Sequence, residues 1–295
     1  MWGVSGSCVQ FLSTNYEVEP LFIVVARTVI AAALFCAFML AGAGRRAQLA
    51  ALAHDGASLA RTVVFGMALL ACQLTYIVAI GYSNAGTVTV LQSANAALIM
   101  LLACLTARSL PRPREFAGLI AALVATWLIA THGDPTSFAL PLPALVWGLS
   151  TAVSATVYTL YPRRLFAQWG SVPVTAAGML VGAAGSLAIA GAFALAGSPV
   201  AVPQLDAVGW LVIVVIGVAG TCVAFGLFLY GVSIVGPVVG SLLGAIEPAS
   251  AMVVSAVVLG TPFAVADWVG FALMVAMIAL VADGGGRTAR KNEGV

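Results

Sequence analysis

Apolar residues run through this chain in long blocks separated by short polar stretches. The blocks cover approximately 1–16, 20–42, 61–82, 84–107, 114–132, 141–162, 172–196, 207–231, 234–259 and 263–283. A helix needs roughly 20 apolar residues to cross a hydrocarbon core of about 30 Å. The pattern therefore predicts an all-α integral membrane protein with ten transmembrane helices. The loops are too short to hide a soluble domain. Tyr16, Tyr82, Trp210 and Trp268 fall near one set of span ends and Tyr161 and Trp169 near the other, where interfacial aromatics belong. Pro111, Pro113, Pro135, Pro141, Pro143, Pro199 and Pro203 punctuate the loops, where a missing backbone N–H costs little.

Charge gives the spans a direction. Eleven of the 12 Arg and Lys residues occupy alternate loops and the C-terminal end: Arg45, Arg46, Arg61, Arg108, Arg112, Arg114, Arg163, Arg164, Arg287, Arg290 and Lys291. The intervening loops carry only Glu17, Glu19, Asp134, Asp206 and Asp267. Retention of basic loops in the cytoplasm predicts that both termini lie inside. The first span is short, roughly 24 Å of helix, with Trp2 almost at its start. No charged leader region or small-residue cleavage site accompanies it, so the expectation is a clipped first helix and not a removable signal peptide.

The spans fall into two sets of five. Trp2-Gly3-Val4-Ser5 opens the first and Trp147-Gly148-Leu149-Ser150 the second. An offset of 152 sets Ala97 on Ala249, Met100 on Met252, Glu115 on Asp267 and Gly118 on Gly270. Under it Arg108, Arg112 and Arg114 become Gly260, Ala264 and Ala266. Because five is odd, the second copy runs the opposite way through the membrane, and its equivalent loop loses its cations. The expected organisation is one five-helix repeat over 1–133, an inverted second over 139–283 and a basic cytoplasmic tail over 284–295. Substrate sites in such folds lie near midplane between the halves.

Composition narrows the function classes. At 62% hydrophobic and 7% charged, the chain is unlike a soluble domain, and no basic stripe supports nucleic-acid binding. Cys8, Cys36, Cys72, Cys104 and Cys222 all lie inside spans, with no CxxC or His/Cys cluster, and read as small packing residues. His54 and His132 have no evident ligand partner. No HExxH, GxSxG or Walker loop is present, so neither an enzyme, a metal site nor a cofactor is expected.

The paired Trp-Gly-x-Ser openings, Arg27 in span two and the run Gly240-Ser241-Leu242-Leu243-Gly244-Ala245-Ile246-Glu247-Pro248-Ala249, continuing to Val258-Leu259-Gly260, resemble EamA-domain transporters of the drug/metabolite transporter superfamily. Thr87-Val88-Thr89-Val90-Leu91-Gln92, Thr131-His132-Gly133-Asp134-Pro135-Thr136 and Tyr161-Pro162 resemble its carboxylate, amino-acid and amine branch. The resemblance covers essentially the whole chain. It implies ten helices in two inverted repeats, a multi-pass inner-membrane location and export of small metabolites. Two departures stand out. Thr261 occupies a position where many members carry an acid. Ala96 stands where many carry a proline in helix four, which predicts a first half stiffer than is usual for the family.

Two ionisable residues lie within spans. Glu247 falls at the middle of span nine, where a lone charge costs some 2.5–3.5 kcal/mol on insertion scales. It is a candidate for proton coupling, for binding an amine, or for a structural acid. Pro248 removes the hydrogen bond to the Gly244 carbonyl, so these two form a candidate hinge. Gly236, Gly240 and Gly244 recur every four residues and read as a packing stripe. Arg27 lies roughly 10 Å inside span two. It has three roles open to it: holding a substrate carboxylate, pairing with Glu247 or anchoring its helix at the outer interface. Gln92 and Asn95, three apart and expected on one face, Gln73 and Tyr76 on span three, Gln10 on span one, and Trp147 and Tyr158 on span six complete a candidate cavity lining. The expected partners are a small-molecule substrate, protons and the lipid bilayer, with the chain a monomer or homodimer.

Overall fold

The computed structural model describes residues 1–107, 113–134, 140–243 and 246–277. Gly244, Arg108, Arg112 and the basic tail lie outside the described residues, as do the side chains of Gly236, Gly240 and Pro248. Every described element is helical. The sequence explains several of their boundaries. α1 is Trp2–Asn15. α2, Pro20–Leu40, has its proline in the first turn, where no N–H is missed. α3, Ala43–His54, and α4, Gly56–Tyr82, follow. Asn84 caps α5, Ala85–Gln92, by accepting from the Thr87 N–H at 2.8 Å. α6 is Asn95–Ala107, α7 Pro113–Thr131 and α8 Leu142–Leu160. The short α9, Arg163–Trp169, ends at Gly170, whose φ of 82° lets the chain turn into α10, Ser171–Leu195. Asp206 caps α11, Ala207–Val215, which passes into a π-helical segment, Ile216–Val223, and then α12, Ala224–Leu243. α13 is Ile246–Val257 and α14 Val265–Met277.

Among the described residues six stretches are long and apolar enough to cross a membrane: Pro20–Leu40, Gly56–Tyr82, Ala85–Leu102, Leu142–Trp169, Ser171–Leu195 and Ala207–Ile234. Phe116–Ile129 and Val265–Met277 are shorter apolar helices. Large apolar side chains face outward along them, Leu105 at 72% exposure and Leu211 at 61%. Such a surface is a liability in water and ordinary against lipid.

Hydrocarbon supplies no hydrophobic drive between helices in a bilayer, so close packing and polar contacts hold the bundle. A Cβ on Gly66 would lie 2.6 Å from the Gly178 carbonyl oxygen, which measures how tightly α4 meets α10. Thr28 and Ser186 hydroxyls join α2 to α10 at 2.9 Å, and Thr151 donates to Thr75 between α8 and α4 at 2.9 Å. The helix contacts come in matched sets. α2 packs on the π segment as α10 packs on α4, and α1 packs on α13 as α8 packs on α5 and α6. α2 also meets α10, and α5 meets α13, each pair joining counterparts.

Three expectations are corrected. The fourth span is not one rod, although it has no proline. The Ser93 hydroxyl takes the Thr89 carbonyl at 3.0 Å, and the Ala94 and Ala96 N–H groups reach back three residues, to Leu91 and Ser93, at 3.2 Å each. This tightened turn ends α5 at Gln92 and restarts helix at Asn95. The two residues therefore do not share one continuous helical face. The boundary expected at 232–233 is helix, because Ser233 donates to the Tyr230 carbonyl at 2.6 Å and satisfies its hydroxyl without a loop. The polar stretches at 43–54 and 163–169, read as loops, form α3 and α9. Each is held by apolar residues, Leu52 under α3 and Leu165 with Phe166 under α9, all buried.

Candidate functional site

Near the centre of the bundle α1, α2, α4, α5, α8, α12 and α13 converge on a cavity lined by Trp2, Ser5, Arg27, Cys72, Gln73, Tyr76, Gln92, Tyr158, Phe225 and Glu247. It offers about 30 Å³ to water-sized occupants, room for one or two waters. Helical spacing assembles it. Trp2 and Ser5 are three apart on α1, and Cys72, Gln73 and Tyr76 fall on one side of α4.

Its two charged groups are set differently. The Arg27 side chain is buried, with Nε donating to Thr221 Oγ1 at 2.9 Å and Nη2 to the Gly220 carbonyl at 3.5 Å. Both partners belong to the π-helical segment. Thr221 in turn donates to the Ile216 carbonyl, five residues back, at 2.9 Å, so the widened turn and the arginine are satisfied together. Among the described residues, none hydrogen-bonds the Glu247 carboxylate or pairs with it within 4.0 Å, Arg27 included. The ion pair weighed from the sequence is not formed.

Three buried polar atoms on this cavity also have no hydrogen-bond partner: Trp2 Nε1, Ser5 Oγ and Gln73 Oε1. Gln73 spends its amide N–H on the Leu69 carbonyl at 3.3 Å, which leaves the oxygen to the cavity. An unmet buried donor or acceptor costs about 1–3 kcal/mol. A small polar molecule with both N–H and oxygen groups is the natural complement: Trp2 offers a donor, Gln73 an acceptor, Ser5 either, and the two charges can each take an opposite one.

Two distinct layers of side chains flank the cavity along α1. Toward the start of α1, Trp2 packs on Phe225 and Phe228 with ring centroids 4.8 Å apart, and Tyr158 meets Phe225 at 5.7 Å. About 12 Å further along α1, Gln10 donates to Thr261 Oγ1 at 2.9 Å, and its oxygen accepts from the Ala85 N–H at 2.9 Å and from Ser255 at 3.4 Å. Gln10 thus ties α1 to the start of α5 and to α13.

Of the residues chosen from the sequence, Glu247, Arg27, Gln92, Tyr76, Gln73 and Tyr158 meet at the cavity. Gln10 does not, being held in the layer beyond it. Asn95 does not, since the turn at Ser93 separates it from Gln92; its carbonyl accepts from Thr156 at 3.5 Å. Trp147 is 37% exposed, so the two Trp-Gly-x-Ser motifs part company, one facing the cavity and the other the surface. Sequence reasoning missed Trp2, Ser5, Cys72, Phe225 and Thr221. The i, i+3 spacing of Trp2 and Ser5 was the available signal. It also missed His132 Nδ1 against Asp267 Oδ1 at 2.7 Å, a contact between the ends of α7 and α14 in which the buried carboxylate also accepts from the Ala264 N–H at 2.8 Å. Among the described residues no cluster of three or more His, Cys, Asp or Glu could hold a metal ion.

Comparison with known proteins completes the picture. The profile of the EamA-like transporter family matches residues 1–131 and 142–282. The chain is 31% identical over 290 residues to the uncharacterized inner membrane transporter YicL of Salmonella typhimurium (strain LT2), covering 98% of this chain and 94% of that protein. A solved crystal structure superposes with a TM-score of 0.66 over 96% of this chain and 93% of that chain; at 19% identity it speaks to the fold.

Proposed function

The chain belongs to the EamA-like transporter family, and from that membership we propose a proton-coupled secondary transporter of the cytoplasmic membrane that exports a small polar metabolite. Amino acids, amines and related carboxylates are the favoured cargo. In this reading the chain crosses the membrane ten times in two inverted five-helix repeats with both termini inside. The aromatic layer at Trp2 then faces the cytoplasm and the Gln10–Thr261 layer faces outward.

The observation that carries the reading is the convergence of Trp2 Nε1, Ser5 Oγ and Gln73 Oε1, all buried and unpartnered, on the cavity that Glu247 and Arg27 share. Polar groups are left unmet where a ligand is to meet them. Glu247 binds a proton in exchange for substrate, and Arg27 attracts a carboxylate without leaving its helix. With room for one or two waters, the cavity takes cargo only after one closing layer parts. Alternate opening of the aromatic and polar layers is the transport cycle, with Pro248 and Gly244 as the hinge beside Glu247.

A second reading is favoured by the aromatic faces of Trp2, Tyr158 and Phe225 around Glu247, which suit a cation. A broad cation or drug exporter would use them and have little need of Arg27. Counterflow of labelled amino acids, amines and short carboxylates in proteoliposomes separates the two. Exchange of one polar class, weakened by Arg27→Gln, supports the metabolite exporter. Competition by bulky lipophilic amines, indifferent to Arg27→Gln, supports the cation exporter. Flux that runs downhill without any counter-movement of protons makes the protein a passive facilitator.

A further inference from the structure

Away from the central cavity, the junction of α4 with α8 and α9 forms a pocket of about 620 Å³ lined by Arg61, Arg163 and Arg164 together with Tyr161, Leu160 and Leu165. No acidic residue lines it. Among the described residues none of the three arginines pairs with a carboxylate. Three like charges brought together repel one another unless an anion sits between them.

The helix that carries two of these arginines is fixed by packing, while the Arg61, Arg163 and Arg164 side chains are themselves exposed. Leu165 and Phe166 bury α9 against the bundle, and the Phe166 ring meets Phe65 of α4 edge-on at 6.0 Å. Trp169 Nε1 donates to Ser58 Oγ at 2.9 Å, fastening the far end of α9 to the first turn of α4. Arg61 projects one to two turns inside α4, so a cation from a spanning helix faces two from an interfacial one. Tyr161 lines the same pocket and is 41% exposed, as an interfacial anchor is.

Beyond the charges the wall turns apolar. Val64, one turn past Arg61, is 48% exposed, and Val157, one turn before Tyr161, is 37% exposed. Neither valine lines the pocket, but each turns an apolar side chain outward on a helix leading from it, the track an acyl chain would follow from a phosphate held by the arginines. Soluble phosphate has no use for that track, whereas a phospholipid fills both halves.

We propose that Arg61, Arg163 and Arg164 form a headgroup site for an anionic phospholipid of the cytoplasmic leaflet. Basic pockets at that level attract anionic lipid through the guanidinium–phosphate fork and the negative surface of the leaflet. The proposal rests on the orientation given under Proposed function, but lipid retention is read without transport, so a failed transport assay leaves it standing.

The test is native mass spectrometry of the purified full chain, titrated with phosphatidylglycerol and with phosphatidylcholine of identical acyl chains. The R61Q/R163Q/R164Q variant is run beside R45Q/R46Q, which removes cations from the same face but not from this pocket. The expected result is preferential binding of phosphatidylglycerol, weakened roughly tenfold or more in the triple variant and retained in R45Q/R46Q. If the triple variant fails to fold, Arg61→Gln alone is read, since it leaves α9 intact. Equal binding of the two lipids, equal loss in both variants, or displacement of the lipid by inorganic phosphate alone would overturn the proposal.

Discussion

Arg27 Nε donates to Thr221 Oγ1 at 2.9 Å, and this bond, with the longer one to the Gly220 carbonyl, couples the buried cation of α2 to the only π-helical segment among the described residues. The hydroxyl serves twice, since it also donates to the Ile216 carbonyl. Thr221→Val keeps the shape and removes both bonds. It leaves Arg27 with only the longer Gly220 contact. The expected loss is about 1–3 kcal/mol, read as a lower unfolding midpoint in detergent, whereas Thr221→Ser stays close to the parent.

Gln73 is expected to behave in the opposite way. Its side-chain oxygen is buried without a partner, so Gln73→Leu removes an unmet acceptor and should leave stability unchanged or slightly raised. Transport should fall about tenfold or more, the equivalent of one lost bond of about 1.4 kcal/mol. Counterflow and thermal unfolding on the same preparation check both halves. A variant that loses stability and transport together would make Gln73 a structural residue.

Apolar periodicity located the second, third, sixth and seventh spans closely, because each becomes one uninterrupted helix with polar flanks. The break in the fourth span was invisible. It is made by the Ser93 hydroxyl competing for a helix carbonyl, and serine inside an apolar run carries no composition signal. Glu247 and Arg27 were legible as charges where charge is costly. Cys72 and Phe225 were not, because an apolar side chain that faces a cavity looks in sequence like one that faces lipid. Asp267 and His132 lie 135 residues apart, and no periodicity pairs them. Repeat symmetry misled at Asn95 and Trp147: equivalence in sequence placed them with Glu247 and Trp2, but the local turn and the exposed face of α8 direct them elsewhere.

Small residues set the helix spacing, and one comparison measures this. Gly66→Ala would place a methyl group 2.6 Å from the Gly178 carbonyl oxygen and from Val181 Cβ. Backbone cannot yield as a side-chain tip does, so about 1–3 kcal/mol should be lost. Gly191→Ala, also within a helix, meets nothing within 4 Å and should gain up to about 1 kcal/mol from helix propensity. Unfolding midpoints of the two variants should therefore move in opposite directions.

Asp206 gives a pH dependence with a definite sign. The Gly209 N–H, and after it the Tyr16 hydroxyl at 2.7 Å, hold its carboxyl below the ordinary value of 3.8, while the same bond pushes the Tyr16 phenol up. A carboxyl depressed in the folded state stabilises it above the ordinary value, and that contribution fades as pH falls through the folded value. Asp206→Asn still caps α11 but cannot titrate. Unfolding midpoints of parent and variant should differ most at neutral pH and converge below pH 3.8. A constant difference down to the lowest pH would contradict this assignment.

Glu247, with no hydrogen-bond or ion-pair partner among the described residues on the cavity it shares with Arg27, is the residue proposed to carry the coupling proton. The most direct measurement is substrate-driven proton movement in proteoliposomes loaded with a pH dye, with Glu247→Gln reconstituted in parallel. The account predicts a pH change in the parent with an amino acid, amine or short carboxylate, and no pH change in the variant, which still folds and binds substrate. Coupled proton movement of parental size in Glu247→Gln would contradict it.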